Sequence, residues 1–381
     1  MIRITDKSLC CGCTACVSAC PVQCIVLRRD DEGFDYPVAN ADLCVGCGRC
    51  EEVCPVITPP KETVPLDVLA ARSEDHVSCS SSGGVFPVLA EAILDAGGKV
   101  YGAVFEDDFK VGHAEAACKS EMLPMRGSKY VQSDLYSTFD DVKECLLEGR
   151  KALFTGTPCQ VAGLLGYLGD RPEGLLTVDF ACHGVSCPGL WDKYVKALEK
   201  KKEGPLESVS FRDKSKGWRH YNFRYDEVKV PYTDDPYMAL FVQDVTLRPS
   251  CYRCRMRAGR TVSDLTLADL WNVSAAAPEF DDDRGVSSVF VNTVAGKEAL
   301  SEAAVRLSTS RISRELAMGD NGGFHNPVSV PERREEFFNS LYSAKDLIHY
   351  MKGYVVRRPL HQRIYRMVRG FLAYVKRRII G

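Results

Sequence analysis

Apolar positions in this chain change period several times. Val68 to Ala71 is a short apolar run that predicts a strand. Ser80-Ser81-Ser82-Gly83-Gly84 then open a stretch of helical period through about Ala96, and Gly97-Gly98 stop it. Lys99 to Phe105 reads as a strand and Leu135 to Glu148 as a helix. Ala152 to Thr155 is a buried strand ending in Gly156-Thr157-Pro158-Cys159. Gln160 to Leu168 reads as a helix, and Leu175 to Ala181 as a strand ending in Cys182-His183-Gly184. Strands with polar loops at their carboxyl ends and helices following predict an α/β sheet with a crevice along that edge. Residues 206–275 are more β-rich in pattern, and 297–318 helical. From Arg363 to Arg378, Ile364, Met367, Val368, Phe371, Leu372 and Val375 share one helical face, with Arg366, Arg369, Lys376 and Arg377 on the other.

At 381 residues, 45% hydrophobic and 26% charged, the chain has room for two or three globular domains, and disorder and coiled coil are excluded. Lys plus Arg number 49 against 51 acids, a net charge of −2, so no general affinity for nucleic acid is implied. The balance is uneven. Lys345 to Gly381 carries ten basic residues and one acid, a net of +9, which leaves −11 on the rest.

Cysteine changes the picture most. There are 18, ten of them before residue 55. The N-terminal MIRITDKS has no apolar signal-peptide core and no run is long enough to span a bilayer, so a cytoplasmic chain is expected, its thiols engaged in metal or redox work.

Cys10, Cys13, Cys16, Cys20 and Pro21 recur 34 residues later as Cys44, Cys47, Cys50, Cys54 and Pro55. Each copy is C-x2-C-x2-C-x3-C-P. Three thiolates at this spacing wrap one corner of a cubane, and the fourth, before Pro, reaches the other cluster. Cys10, Cys13, Cys16 and Cys54 are therefore expected to hold one [4Fe–4S] cluster, and Cys44, Cys47, Cys50 and Cys20 the second. Structural zinc needs only pairs of thiols and leaves the third and fourth Cys of each copy unexplained. Gly33 to Val38 reads as a hairpin arm between the copies, and Cys11 and Cys24 as small buried side chains near the clusters. Thr58 to Pro65 is a Pro-punctuated linker.

Farther on, Cys159 and Cys182 each follow a predicted strand, and Cys251 and Cys254 form a C-x2-C pair. The four could complete a third thiolate site, or be unrelated core cysteines, as Cys79, Cys118 and Cys145 are read to be. Ser81-Ser82-Gly83-Gly84 before a helix offers amides and a dipole suited to a pyrophosphate, or a plain N-cap. Ser128-Lys129-Tyr130 offers a cation beside an aromatic face, and Lys214, Lys216, Trp218 and Arg219 a basic aromatic stretch.

The segments SSGGVF (81–86), RGSKYVQSD (126–134), LFTGTPCQVAGL (153–164), DFACHGVSCPGLW (179–191), FRDKSKGW (211–218) and LRPSCYRCRMRAGRTVSDLTLADLW (247–271) together resemble the coenzyme F-420 hydrogenase/dehydrogenase beta-subunit family, over residues 66 to 325 or so. The fused ferredoxin makes the chain similar to bacterial members. The resemblance implies a flavin (FAD, or FMN), a further [4Fe–4S] cluster and exchange of electrons with a deazaflavin or another organic acceptor. It makes Cys159, Cys182, Cys251 and Cys254 the core cluster ligands, and Ser82, Gly83, Gly84, Ser128, Lys129 and Tyr130 the flavin contacts. Cys187 stands where family members commonly have Ser, and competes with Cys182 as a ligand.

The expected architecture is α+β and α/β in several domains: a two-cluster ferredoxin (1–58), beta-subunit regions at 66–150 and 151–325, and a basic helical tail (340–381). Clusters carry single electrons whereas a deazaflavin takes hydride, so a flavin belongs between them. The expected path is a ferredoxin-like donor or redox partner protein, ferredoxin clusters, core cluster, flavin, small organic acceptor. Lys129 is the candidate catalytic residue, its charge stabilising anionic reduced flavin. The alternatives are a non-catalytic electron-relay subunit of a larger redox complex and a zinc-stabilised interaction protein. The tail suits an anionic membrane surface or an acidic partner as well as docking on its own domain.

Overall fold

The computed structural model describes residues 1–356 except 62–63, 170, 258–259, 261 and 320, so the basic helix expected over 363–378 lies outside the described residues. The sequence repeat is a repeat of backbone. Each cysteine run ends in one helical turn, Ala15–Ser18 and Arg49–Glu52, entered through a left-handed residue at equivalent positions, Thr14 (φ 58°) and Gly48 (φ 78°). Between the copies, β1 (Ile25–Arg29) and β2 (Asp35–Ala39) pair antiparallel, with Ile25 opposite Ala39. The Asp30 carboxylate closes their turn by accepting from the amides of Glu32 and Phe34 at 3.1 and 2.9 Å.

The next strands are β3 (Asp67–Arg72), β4 (Lys99–Phe105), β5 (Val111–Ala116), β6 (Ala152–Thr155) and β7 (Leu175–Phe180). β8 (Val209–Asp213), β9 (Asn222–Tyr225) and β10 (Val228–Pro231) form a separate antiparallel sheet. β11 (Leu265–Asp269), β12 (Ser287–Val291) and β13 (Ser308–Arg311) return to the large sheet, whose order is β13-β3-β12-β11-β7-β6-β4-β5. Its centre, β4, β6, β7 and β11, is parallel. The fold is mixed α/β with a ferredoxin-like region at its N-terminus. Strands drawn from 66–150 and from 151–325 share the one sheet.

Helices cover both faces. Val85–Asp95 packs Val85, Val88 and Leu89 against Val100, Leu153, Leu176 and Val289. On the other face, Thr138–Leu147 and Pro158–Leu168 pack Phe139, Val142, Val161 and Leu164 against Tyr101, Phe154 and Leu175. Each such side chain, fully buried, contributes about 1.5–3 kcal/mol. Cys13, Ala15, Ala19 and Val53 of the ferredoxin region join this second cluster. Two glycines admit them. A Cβ at Gly163 would lie 2.9 Å from Cys13 Cβ, and one at Gly166 2.7 Å from the Val53 carbonyl oxygen.

Some elements differ from the sequence pattern. The helix expected from Leu135 starts at Thr138, because Leu135 is buried beneath a turn in which Tyr136 takes φ 43°. The helical reading of 297–318 is interrupted: Val294–Glu302 and Arg314–Met318 flank β13, a polar edge strand whose pairing with β3 leaves no apolar signature. The β-rich stretch contains a helix, Pro236–Val242. No described helix is long and apolar enough to cross a membrane.

Candidate functional site

Cys20, Cys44, Cys47 and Cys50 line one small pocket in the ferredoxin region, with Cys24 beside them, its Sγ 3.5 Å from that of Cys20. Cys16 lies between Cys10, Cys54 and Cys50; burial, then these neighbours, push its thiol up to about 12. Cys13 is adjacent to Cys16 and to Cys11. The backbone thus gathers the two sets that the doubled spacing separates. Among the described residues, no three His, Cys, Asp or Glu side chains close around one point as for a single metal ion.

The core thiols also come together. Burial pushes the Cys182 thiol well up, and Cys251, Cys159 and Cys254 add to it by like charge. Cys251 is pushed up to about 12 by burial, with further contributions from Cys159 and Cys254. Cys159 is fixed in the first turn of Pro158–Leu168 by a capping box, in which the Thr157 amide donates to Gln160 Oε1 at 2.9 Å and the Gln160 amide to Thr157 Oγ1. Its Sγ is 3.1 Å from Thr157 Oγ1. Cys187 is placed apart. It caps the helix Pro188–Lys202, and its thiol donates to the Glu32 carbonyl at 2.7 Å, tying that helix to the ferredoxin hairpin. Cys11 joins the two thiol groups, hydrogen-bonded to both Cys13 and Cys159.

Beyond the core thiols lies a cavity of about 560 Å³ at the carboxyl ends of β6, β7 and β11, walled by Thr155–Thr157, Asp179–Ala181, His183–Val185 and Leu267–Asp269. Ser82, Gly84, Ser128, Lys129 and Tyr130 line it, as does the uncapped start of Val85–Asp95. Gly83 does not. Its amide donates to Ser287 Oγ at 3.0 Å, and a Cβ there would sit 2.4 Å from the Ala71 carbonyl oxygen, so its place is close packing behind the wall. The Ser128 amide and hydroxyl reach Ser81 Oγ at 2.7 and 3.0 Å, pinning the two loops together. Tyr130 stacks on Phe241, ring centroids 4.8 Å apart. Lys129 Nζ donates to the carbonyls of Pro124 (2.7 Å), Arg126 (3.1 Å) and Gly127 (3.3 Å). Desolvation inside the cavity draws its pKa down to about 7, against which the three carbonyls favour the charged form.

Sequence reasoning missed three side chains. Asp179 is 1% exposed, lines the cavity and has both carboxyl oxygens unpartnered; burial pushes it up to about 7. His113 is held neutral, burial drawing it down to about 4. Its Nε2 is bonded to the Thr155 carbonyl (3.0 Å), which leaves Nδ1 bare beside the cavity. Arg248 is fully buried between the ferredoxin region and the core. An acid three residues before Cys182, within a strand, was the available hint for Asp179; no sequence signal marks His113 or Arg248.

Residues 9–57 match a 4Fe-4S dicluster domain, and residues 149–315 match the C terminus of the coenzyme F420 hydrogenase/dehydrogenase beta subunit. Residues 149–315 thus carry the C-terminal region of that beta subunit, behind the dicluster domain. No curated protein matches the chain. Among solved structures, this chain is similar to one in the xenon-derivatised F420-reducing [NiFe] hydrogenase complex from Methanosarcina barkeri, at a TM-score of 0.50 and 17% identity, over 75% of this chain and 94% of that one. At that identity the likeness is one of fold. The two regional matches together point to an oxidoreductase role with iron–sulfur electron transfer.

Proposed function

We propose that the protein is an iron–sulfur flavoprotein that takes electrons from a ferredoxin-like donor and delivers them to a conjugated organic acceptor of the deazaflavin class. The supporting observation is order: ferredoxin thiols, Cys11 and core thiols follow one another, and Gln160, Ala181 and His183, the chain neighbours of Cys159 and Cys182, line the cavity. Cys10, Cys13, Cys16 and Cys54, then Cys20, Cys44, Cys47 and Cys50, would hold the two ferredoxin clusters, and Cys159, Cys182, Cys251 and Cys254 a third. The cavity fits a flavin, because its volume lies in the range of small-molecule sites and buried polar atoms on its wall await a partner. A flavin bound there would supply the exchange between one-electron and two-electron chemistry.

The chain's own residues define what else the site does. The uncapped amides opening Val85–Asp95 receive a phosphate, next to the Ser81–Ser128 pair. Tyr130, backed by Phe241, gives a flat wall for a planar ring. His113 Nδ1 accepts a hydrogen bond from a ring N–H, since its Nε2 proton is committed to Thr155. Asp179, near neutrality in its affinity for a proton, holds or releases one at Oδ as charge changes in the cavity. Lys129 keeps its ammonium at a fixed point on the loop 124–129, where its charge favours an anionic ring.

The test is anaerobic reconstitution of the full chain followed by flavin, iron and sulfide analysis. Retained flavin that bleaches when dithionite-reduced clusters are mixed with it supports the reading. A protein that loads its clusters yet never retains flavin is an electron-relay subunit instead.

A further inference from the structure

Among the described residues, Arg248 is a buried cation without a counter-ion. Its guanidinium donates to the Cys10 carbonyl at 2.8 Å, to Gln132 Oε1 at 2.8 Å and to the Asp35 carbonyl at 3.0 Å, and Nη2 is 3.6 Å from Cys10 Sγ. The Tyr36 ring lies over it, 4.2 Å from centroid to Cζ. Among the described residues, no carboxylate is within ion-pair reach. Burial opposes its charge, the ionisable groups nearest to offset it are Cys10, Tyr36 and Cys11, and its own positive charge lowers the pKa of Cys159 and of Cys251. The chain bends to admit it. Gly12, at φ 72°, stands where a Cβ would be 2.9 Å from the guanidinium carbon and 2.3 Å from Gln132 Nε2.

A guanidinium stays protonated in proteins, and a buried, unpaired charge costs several kcal/mol. Neutral carbonyls offset part of that. The remainder needs negative charge, and the thiolates on either side are the groups placed to supply it.

We propose that Arg248 sets the reduction potential at the junction between the ferredoxin region and the core. Resting on the function proposed above, this makes Arg248 a positioning charge. It favours the reduced state of the cluster that Cys10 would hold and of the cluster that Cys159 and Cys251 would hold. The cluster of Cys20, Cys44, Cys47 and Cys50 lacks this cation, so an electron entering there is drawn inward. Each transfer moves one electron, oxidising one cluster and reducing the next. Neighbouring charge and hydrogen bonds to sulfur are established means of shifting such potentials.

The experiment is a potentiometric titration, followed by electron paramagnetic resonance, of the anaerobically reconstituted full chain. Arg248→Gln removes the charge. Gln132→Glu leaves Arg248 in place but sets a carboxylate 2.8 Å from it. In both, the reduced-to-oxidised ratio of two of the three waves should fall about tenfold at fixed potential, a downward shift of about 59 mV for one electron. The third wave, identified by its loss in Cys47→Ser, should not move, and Arg248→Lys should resemble the native chain. Unmoved waves in both Arg248→Gln and Gln132→Glu, with iron content intact, overturn the proposal, as does an equal shift of all three. If the native chain binds no labile sulfide, the function proposed above falls, and this inference with it.

Discussion

Gly166→Ala puts the contact between the ferredoxin region and the core under direct strain. The new Cβ would meet the Val53 carbonyl oxygen at 2.7 Å and its carbon at 3.3 Å. Both are backbone atoms and cannot rotate away, so the ferredoxin region must retreat by about half an ångström, an overpacking that costs about 1–3 kcal/mol. Against this, Ala in a helix interior gains up to about 1 kcal/mol over Gly. Gly353, in the helix Leu347–Tyr354, separates the two effects, because nothing lies within 4 Å of a Cβ there. Gly353→Ala should therefore stabilise the chain slightly, and Gly166→Ala should fall below it by about 1–3 kcal/mol in urea unfolding of the apoprotein. In reconstituted protein, stopped-flow spectra should show ferredoxin bleaching unchanged and core bleaching delayed, since the strain falls on the helix that carries Cys159. If Gly166→Ala is stabilised as much as Gly353→Ala and transfer is undiminished, the tight junction inferred from these glycines is refuted.

Three further outcomes are expected. Asp179 is lifted from 3.8 to about 7 by burial, so the native state holds a proton that the unfolded state has lost between those values. Stability of the native chain relative to Asp179→Asn should then decline as pH rises from about 4 to about 7 and level off above, and parallel denaturation curves would contradict the assignment. Cys251→Ser with Cys254→Ser should remove about a third of the iron and leave the ferredoxin signal, whereas unchanged iron would make these thiols structural. For the basic tail, truncation after Val356 is the informative cut, because the helix Leu347–Tyr354 packs Tyr350 and Tyr354 against Phe337 and should stay. Loss of anionic-liposome flotation on truncation supports a membrane contact, and equal flotation removes it.

What was legible in the sequence was what is local. The doubled ferredoxin motif is read from spacing alone, and the 34-residue offset reappears in paired backbone angles at Gly12 and Gly46, φ 72° and 69°. β4 and β6 have the limits that the apolar runs predict, because strands buried on both faces are written as continuous apolar stretches. β13 was hidden because an exposed edge strand needs only backbone pairing with β3. Arg248 was hidden for a different reason. Its partners, Cys10, Asp35 and Gln132, lie more than one hundred residues away, and only the docked ferredoxin region makes it a buried cation. Gly163 and Gly166, weak points in a helix by propensity, are explained only by the Cys13 and Val53 backbone against them.

The parallel pairing of β6 with β7 explains why one narrow stretch of structure borders both the clustered thiols and the cavity. Thr155 is in register with Val178, and each is followed four residues later by a thiol, Cys159 and Cys182. Parallel neighbours end on the same edge, so these two thiols emerge side by side without any long-range accident of folding. The loops that carry them are short, and their residues divide by direction. Thr157 and His183 face the cavity, Cys159 turns with its helix toward Cys11, and Gly163, one turn on, faces Cys13. The stretch 156–159, a two-residue turn and the start of the helix, therefore reaches Cys11 on one side and the cavity on the other. The cavity and the ferredoxin contact are thereby kept on different sides of the half-buried core thiols, and Arg248, fully buried beside Cys10, lies on the ferredoxin side.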